Sequence, residues 1–380
     1  MQYKSLAKTP KSENRNSAIE LLRIVSIIMI IGCHFATHGG FEFDSQSITV
    51  PRLWWNILEM GGNFGTAVFV LISGYFMIEN KTSIKWKKVL KFWGQIIFYS
   101  ILLFFSAFAI GKGSFNPVTV IKAMFPITFS EWWFASTYFV MFLLHPYINK
   151  FLHSLAKNEY QTFLIFLFIL WSVIPTITTS KYQSNALLEF IMFYSIAGYI
   201  KLYGLNKKLK SKHYFALWLL FTVITYLSCV IFILLGTKFP VFSDHSIYFY
   251  ARNSVLTILR AVCFFMTFET ITMSYYPFIN KVASAAFGVY LLHDSNVLRP
   301  FLWKVVFKNA SFQHSNWIIL YSIGVVMLVF VVFTIFDLFR QWVFEKPYMN
   351  LVNKYIDKIL YPFIYICDKA KSIIFGNNNK

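Results

Sequence analysis

The most constraining feature of this sequence is a series of long apolar runs, each near the roughly 20 residues that a helix needs to cross a bilayer. Ten such segments are predicted, at 18–36, 53–78, 92–110, 132–151, 162–177, 187–203, 214–236, 254–275, 283–303 and 317–339. The runs are too long and too continuous for the strands of a membrane barrel. Because backbone groups in lipid must be satisfied within their own segment, the sequence predicts an all-α polytopic bundle of about ten transmembrane helices.

Composition excludes the soluble classes of protein. Of the 380 residues, 57% are hydrophobic and 13% are charged, whereas about a quarter of the residues in a soluble domain are charged. The four cysteines are scattered and form no CxxC pair, so neither a disulfide framework nor a cysteine metal site is expected. No stretch is long enough for a separate soluble domain. We therefore predict a transmembrane domain at 1–340 and a basic, aromatic tail at 341–380.

The placement of the positive charge indicates a membrane topology rather than a nucleic-acid interface. The net charge is +19, and most Lys and Arg lie in the N-terminal arm, in alternate loops and in the tail. Cytoplasmic loops accumulate these residues, so both termini are expected in the cytoplasm. No cleavable signal pattern opens the chain, so the first span is expected to stay as an anchor. A short interfacial helix is predicted at 118–125, and the tail is expected to lie as an amphipathic helix on the inner leaflet of the bilayer.

The first span carries the most informative pair of polar residues. Arg23 and His34 are eleven residues apart, which returns to within about 20° of the same helical face, displaced by about 16 Å along the axis. Arg23 is suited to bind a phosphate or carboxylate, and His34 is suited to accept and return a proton. The alternative is that Arg23 pairs with Glu20 while His34 bonds a carbonyl. His34 and His38 also have a spacing that metal ligands use, but no carboxylate stands between them and no metal is expected.

Other polar residues at membrane depth extend the list of candidates. Glu59, near the outer end of the second span, can orient an imidazole or remain a solvated carboxylate. Trp133 follows Trp132 at the start of the fourth span, where an interfacial aromatic belt is an equally valid interpretation. His293, Asp294 and Arg299 cluster in the ninth span, where charged groups need mutual pairing or a polar cavity. A structural ion pair is possible there, and we favour a functional site. Arg260 in the eighth span is a further candidate anion contact.

Five motifs in chain order resemble the acyltransferase-3 family of integral membrane enzymes. They are the Arg-(ten residues)-His pair, FGTAVFVLISGYFM, the basic run before the third span, WWFASTYFVMFLLHPYINKF and SAAFGVYLLHDSNVLRPFLW. The resemblance covers residues 16–340, and its ninth-span segment is most similar to Gram-positive exopolysaccharide or capsule O-acetyltransferases. It implies a multi-pass protein of the bacterial cytoplasmic membrane.

The resemblance implies transfer of an acetyl or other acyl group from cytoplasmic acetyl-CoA to a hydroxyl of a cell-envelope carbohydrate. It places His34 as general base or acyl carrier, with Arg23, His293 and Glu59 as further catalytic residues. The donor is then expected to contact Arg23, Ser73, Lys88 and Lys91, where Lys replaces both arginines of the family's Arg-x-x-Arg motif and loses their bidentate geometry. The acceptor is expected to contact Trp133, Arg260, Asp294 and Arg299. Partners are thus acetyl-CoA, an envelope polysaccharide or lipid-linked glycan and the lipid bilayer, with no nucleic acid.

The main competing interpretation is a transporter or flippase for a polysaccharide precursor. Such proteins also need many spans with buried charges, but they more often show internal repeats with paired Gly/Pro interruptions. No repeat is visible between the two halves of this sequence.

Overall fold

The protein is a helical membrane bundle. The computed structural model describes residues 16–43, 48–79, 84–206 and 208–375. The regular secondary structure within these ranges is helical, and eight helical segments there are long and apolar enough to cross a membrane. The all-α polytopic prediction is confirmed. The basic N-terminal arm, the start of the basic run before the third span and the last five residues of the tail lie outside the described residues.

The helices fall into three stretches of the chain. The first stretch holds α1 (Ser17–His38), α2 (Val50–Glu59), α3 (Gly61–Met77), α4 (Trp86–Ala109), α5 (Pro117–Met124) and α6 (Trp133–Ser154). The second holds α7 (Lys157–Phe168), α8 (Ile174–Thr178), α9 (Ala186–Tyr203), α10 (Ser211–Gly236), α11 (Pro240–Asp244) and α12 (Val255–Glu269). The third holds α13 (Pro277–Ser284), α14 (Ala286–His293), α15 (Leu298–Pro300), α16 (Ile318–Arg340) and α17 (Lys346–Phe375).

Helix α1 is the central element of the bundle. Asn16 caps its N-terminus by accepting hydrogen bonds from the backbone N–H groups of Ala18 and Ile19. The helix packs against α2, α3, α12, α13, α14 and α16. Its closest neighbour is α3, where a Cβ added to Gly65 would lie 2.8 Å from Ile30 Cγ1. The glycines of α3 therefore have the packing role that small residues take between membrane helices.

Two of the ten predicted spans take a form that the hydropathy did not indicate. The fourth is the continuous 22-residue helix α6, but His145, Pro146 and Asn149 lower its apolar character, and it is not among the eight apolar segments. The ninth is broken, because α14 ends at His293 and the chain turns before α15 and a π-helix at Phe301–Val306. This break places polar groups inside the bundle.

A buried carboxylate joins the third stretch of the chain to α4. Asp337 on α16 accepts hydrogen bonds from Tyr99 Oη at 2.6 Å and from Arg340 Nε at 2.7 Å. Gly288 on α14 lies against it, since a Cβ at Gly288 would lie 2.8 Å from Asp337 Cβ and closer still to the carboxylate. This contact fixes the distance between α14 and α16.

The two peripheral helices predicted from the sequence are both present. The short helix expected at 118–125 is α5, capped by Asn116, which accepts from the backbone N–H of Thr119. The tail forms α17, which follows α16 through a π-helix at Gln341–Glu345. Tyr348 fastens its start to α4 by donating to the Leu90 carbonyl at 2.9 Å. The division at residue 340 and the location of α17 on the inner leaflet remain predictions.

Candidate active site

The centre of the candidate site is a pair of histidines from α1 and α14. His34 Nδ1 lies 2.9 Å from His293 Nε2. On the other side of its ring, His293 Nδ1 lies 2.6 Å from the carbonyl oxygen of Val289, one turn earlier on α14. His293 is fully buried, whereas 16% of the His34 side chain is exposed. The structure thus brings together two predicted catalytic residues that are 259 positions apart in the sequence.

This chain of hydrogen bonds fixes which ring nitrogen carries each proton. A carbonyl oxygen only accepts, so neutral His293 carries its proton on Nδ1 and offers the lone pair of Nε2. His34 must then donate from Nδ1, which leaves the lone pair of His34 Nε2 without a proton. An imidazole held in this tautomer by a second group is arranged as a general base.

An ion-pair cluster surrounds the two imidazoles. Asp294 Oδ1 lies 3.7 Å from His34 Nδ1 and 3.3 Å from Arg299 Nη1. Arg299 Nη1 is also 3.4 Å from His38 Nε2, and its Nη2 donates to Asn296 Oδ1 at 2.5 Å. The cluster follows from the end of α14, because the turn after His293 carries Asp294 and Asn296 while the next short helix carries Arg299. His293, Asp294 and Arg299, which the sequence groups in the ninth span, therefore lie in one cluster in the structure.

His34 lines a cavity of about 420 Å³, which we call the central cavity. Its walls come from α1, α2, α3, α6, α14 and the segment before α12. The polar lining residues include Cys33, His34, Thr37, His38, Glu59, Asn63, Thr66, Tyr290 and Asp294. Its apolar lining residues include Ile27, Ile30, Phe69, Ala286 and Phe287. A mostly apolar cavity with a few convergent polar groups is the usual form of a small-molecule site.

Trp133 forms one wall of the central cavity and is held from outside it. The guanidinium carbon of Arg252 lies 4.8 Å from the centre of the Trp133 ring. Arg252 is in turn paired with Glu189, with Nη2 to Oε2 at 2.6 Å. A guanidinium stacked on an aromatic face contributes about 0.5–2 kcal/mol. By contrast Trp132 is buried and donates from its indole N–H to the Leu291 carbonyl at 3.1 Å, so it ties α6 to α14 rather than joining an interfacial belt.

Glu59 lines the same cavity without contacting the imidazoles. One of its carboxylate oxygens, Oε2, is buried without a hydrogen-bond partner among the described residues. No hydrogen bond joins this carboxylate to His34 or His293, both of which the structure describes. The expected orienting role is taken instead by the Val289 carbonyl acting on His293.

Arg23 stands on the His34 face of α1 but does not line the central cavity. The cavity reaches Ile27, one turn from Arg23. Arg23 Nη1 lies 3.5 Å from Glu20 Oε2, so the alternative pairing considered from the sequence is present. Ser73 donates to the Phe69 carbonyl at 2.9 Å, and Tyr138 lies close to both Ser73 and Arg23. Arg23 and Ser73 therefore belong to a polar group near the N-terminal end of α1 that is separate from the central cavity.

Three further predicted contacts lie away from the central cavity. Arg260 is fully buried over the Phe64 ring, 4.7 Å from its centre, and does not line the cavity because α12 directs it into the α3 interface. Lys91 on α4 is bound to Glu345 with Nζ to Oε1 at 2.7 Å, so part of its charge is already neutralised. Lys88 is exposed in the first turn of the same helix.

His34 and the residues around it also include three potential metal ligands that lie close together. Ligand atoms of His34, His38 and Asp294 lie within 4.8 Å of one another. However, His34 Nδ1 already bonds His293, and Arg299 lies against both His38 and Asp294. A metal cation would have to share this space with a guanidinium, so the residues fit proton transfer better than metal binding.

Sequence reasoning missed four groups that shape the site. They are the Val289 carbonyl, the pair Arg252 and Glu189, and Lys304, which lines a neighbouring cavity. Arg252 and Glu189 are separated by 63 positions, and a backbone carbonyl leaves no pattern in a sequence. Lys304 follows the ninth apolar run directly, so its position after the Asp-Ser-Asn group was an available signal.

The fold and the site define a polytopic helical membrane protein with a paired-histidine centre. Residues 16–337 match the model of the acyltransferase-3 family, described as an acyltransferase domain. Since this match covers most of the chain, the protein belongs to that family and is a membrane acyltransferase. A comparison with curated protein sequences and one with solved structures gave no match.

Proposed function

We propose that this protein transfers an acyl group, acetyl in the simplest case, from a coenzyme A thioester to a hydroxyl of a cell-envelope carbohydrate. The observation that carries the proposal is the His34–His293–Val289 relay, which leaves the Nε2 lone pair of His34 free to accept a proton in a residue that lines a 420 Å³ cavity. General-base catalysis of this kind contributes about 10²–10⁴-fold to a rate. Family membership supports acyl transfer as the reaction class.

The residues support the following sequence of steps. His34 Nε2 takes the proton of the acceptor hydroxyl, and the oxygen attacks the thioester carbonyl carbon. The carbon–sulfur bond breaks, and protonated His34 returns the proton to the leaving thiolate, which yields the ester and free coenzyme A. In a second route, His34 Nε2 attacks the thioester carbonyl and the coenzyme A thiolate leaves; the acceptor hydroxyl then attacks the acyl-imidazole, which regenerates neutral His34 and gives the hydroxyl proton to the thiolate. Exclusion of bulk water by the surrounding helices limits hydrolysis of the thioester.

The donor is proposed to enter from the cytoplasmic side. The charge distribution of the loops favours cytoplasmic termini, and with that orientation Arg23 and Lys88 would lie at the inner side. These cations attract the anionic head of coenzyme A. Tyr138, which lies close to both Ser73 and Arg23, is a further polar group for the donor. The apolar part of the cavity lining, which includes Ile27 and Ile30, suits the acyl and pantetheine part of the donor.

The transporter interpretation is not favoured, because the family is one of acyltransferases. A carrier would move its substrate without consuming a thioester. Measuring the O-acyl ester content of the envelope therefore distinguishes an acyltransferase from a transporter.

The test compares envelope glycans from cells that carry the protein, lack it, or carry His34→Ala. We expect O-acyl esters to fall to the deletion level in His34→Ala cells, with equal amounts of membrane-inserted protein. The matched control is His245→Ala, which removes an exposed histidine on the loop before α12 and should leave the ester content unchanged. Wild-type ester content in His34→Ala cells, or in the deletion strain, would refute the proposed function.

A further inference from the structure

A second cavity adjoins the central cavity on the side of the α1 C-terminus. It has a volume of about 290 Å³, and we call it the basic cavity. Its polar lining residues are Thr37, His38, Asn296, Arg299 and Lys304. Thr37 and His38 line both cavities, so the two spaces share a wall one turn from His34.

The basic cavity presents positive charge and hydrogen-bond donors. Among its lining residues, all of which are described, there are two permanent cations and no carboxylate. The stem of Lys304 lies over Gly40, since a Cβ at Gly40 would lie 3.5 Å from Lys304 Cε. Within the described part of the chain Lys304 forms no ion pair and no hydrogen bond. An uncompensated ammonium beside a guanidinium attracts an anionic group.

The charge is segregated between the two cavities. Asp294 lines the central cavity, where it partly neutralises Arg299 from that side. A carboxylate or phosphate of a ligand would be repelled from Asp294 and attracted to Lys304. A ligand with an acid group and a hydroxyl is thereby oriented with the acid in the basic cavity and the hydroxyl toward His34.

We propose that the acyl acceptor is an anionic glycan, whose carboxylate or phosphodiester binds in the basic cavity between Arg299 and Lys304. The inference rests on the proposed function and narrows its acceptor class. Asp294 Oδ1 is 3.3 Å from Arg299 Nη1 and 3.7 Å from His34 Nδ1, so the guanidinium that would hold the acid and the imidazole of His34 both lie next to the same carboxylate oxygen. Asn296 lines the same cavity, and its side-chain amide has a second N–H to donate to the acid besides the one bonded to Glu131.

The first experiment separates envelope glycans by charge before the esters are counted. Glycans from wild-type and deletion cells are divided by anion exchange into acidic and neutral fractions. We expect the esters lost on deletion to come from the acidic fraction. Carboxyl reduction and phosphodiester cleavage then identify which acid the acceptor carries. Loss confined to the neutral fraction overturns the inference, whereas no loss in either fraction overturns the proposed function itself.

The second experiment tests the cavity with charge variants. The purified full-length protein is placed in nanodiscs of zwitterionic lipid and assayed on the extracted acidic glycans. Lys304→Gln should raise the acceptor KM about fivefold, and Lys304→Arg should restore it. The matched control Lys238→Gln removes another exposed lysine, outside the lining of both cavities, and should behave as wild type.

Two outcomes of the second experiment contradict the assignment. Equal KM values for wild type and Lys304→Gln would show that the acid does not bind in the basic cavity. A Lys304→Gln defect that appears only when anionic lipid is added to the nanodiscs would assign the cavity to a lipid headgroup instead of the acceptor.

Discussion

At the residue scale, the direction of proton transfer in the proposed mechanism depends on a single backbone carbonyl. Val289 fixes the tautomer of His293, and His293 fixes the tautomer of His34. The base therefore does not need a carboxylate directly on its ring, and Asp294 at 3.7 Å acts mainly on the local charge balance with Arg299. A supporting group one step away from the reacting atom is a common way to orient a catalytic imidazole.

A prediction for His293 follows from this relay. His293→Ala removes the acceptor for His34 Nδ1–H and lets the imidazole take either tautomer, so kcat should fall at least about 100-fold. His293→Gln offers an amide oxygen in a similar place and should retain part of the rate. The measurement is acyl-CoA-dependent thiol release per folded molecule. A purely structural role would instead lower the folded fraction and leave kcat per folded molecule near wild type.

Trp133 provides a second prediction at this scale. Trp133 lines the central cavity, and the guanidinium of Arg252 lies 4.8 Å from the centre of its ring. Trp133→Ala should raise the acceptor KM several-fold and leave the donor KM nearly unchanged, since a sugar face is expected to stack there. The acceptor KM of Trp133→Phe should lie between those of the wild type and Trp133→Ala. A change in the donor KM alone would show that the ring contacts the thioester arm instead.

The site residues differ in how far the sequence could identify them. His34, His293, Asp294 and Arg299 are ionisable groups at membrane depth, where an unpaired charge is costly, so their grouping could be predicted. Arg260 meets the same criterion and yet packs on Phe64. The membrane depth of a residue, which the sequence indicates, does not determine which way its side chain points. Lys91 was predicted as a contact of the donor, and its partner Glu345 comes from the π-helix that precedes α17.

At the element scale, the decisive feature is the break after α14. An uninterrupted span would continue the helix through Asp294 and Asn296, whereas α14 ends at His293 and Asp294 then lies 3.7 Å from His34 on α1. The hydropathy of the ninth run predicted one continuous crossing, because the Leu, Val and Phe residues on both sides outweigh the short polar turn in the mean hydropathy. The Asp-Ser-Asn group was the available signal, since these residues favour turns over helix interiors.

Gly288 provides a prediction at this scale. A Cβ there meets the side chain of Asp337, which Tyr99 and Arg340 hold in place. Gly288→Ala should therefore destabilise the fold by about 1–3 kcal/mol and displace α14, with a parallel loss of activity. The control is Gly324→Ala on α16, where a Cβ meets nothing within 4 Å.

Thermal unfolding of the two purified glycine variants measures this effect. Gly324→Ala should change the stability by less than about 1 kcal/mol in either direction, because a glycine in a helix is replaced without a clash. Equal melting temperatures for Gly288→Ala and Gly324→Ala would show that the α14–α16 contact has room to adjust.

At the scale of the whole molecule, the polar groups are divided between the two ends of α1. Arg23 with Glu20 lies near its N-terminus, and the two cavities surround its C-terminal half. A donor from one side and an acceptor from the other would meet along this single helix. Because α1 packs against six other helices, the face that carries Arg23 and His34 is held in a fixed orientation.

Membrane topology gives a prediction at this scale. In a background without the natural cysteines, Lys238→Cys should react with a membrane-impermeant maleimide in intact cells. Lys369→Cys on α17 should react only after permeabilisation, because both termini are proposed to be cytoplasmic. The reverse pattern of labelling would invert the proposed entry sides of donor and acceptor.

The overall class of fold could be read from the sequence because the lipid environment allows few alternatives. Long apolar runs with satisfied backbones must be helices, and this part of the prediction held. The count of ten apolar crossings was less accurate, since α6 carries polar groups and α14 ends early, and both departures surround the site. Cavities arise from the packing of many elements, so their existence and lining could not be derived from one sequence.

The most direct test of the central claim is thiol release by the purified full-length protein in nanodiscs. Acetyl-CoA is the donor, and glycan extract from deletion cells is the acceptor. Wild type is predicted to release coenzyme A in step with ester formation on the glycan, and His34→Ala is predicted to lose at least about 100-fold of this rate while it unfolds at the wild-type temperature. Thiol release by His34→Ala at the wild-type rate would contradict the account.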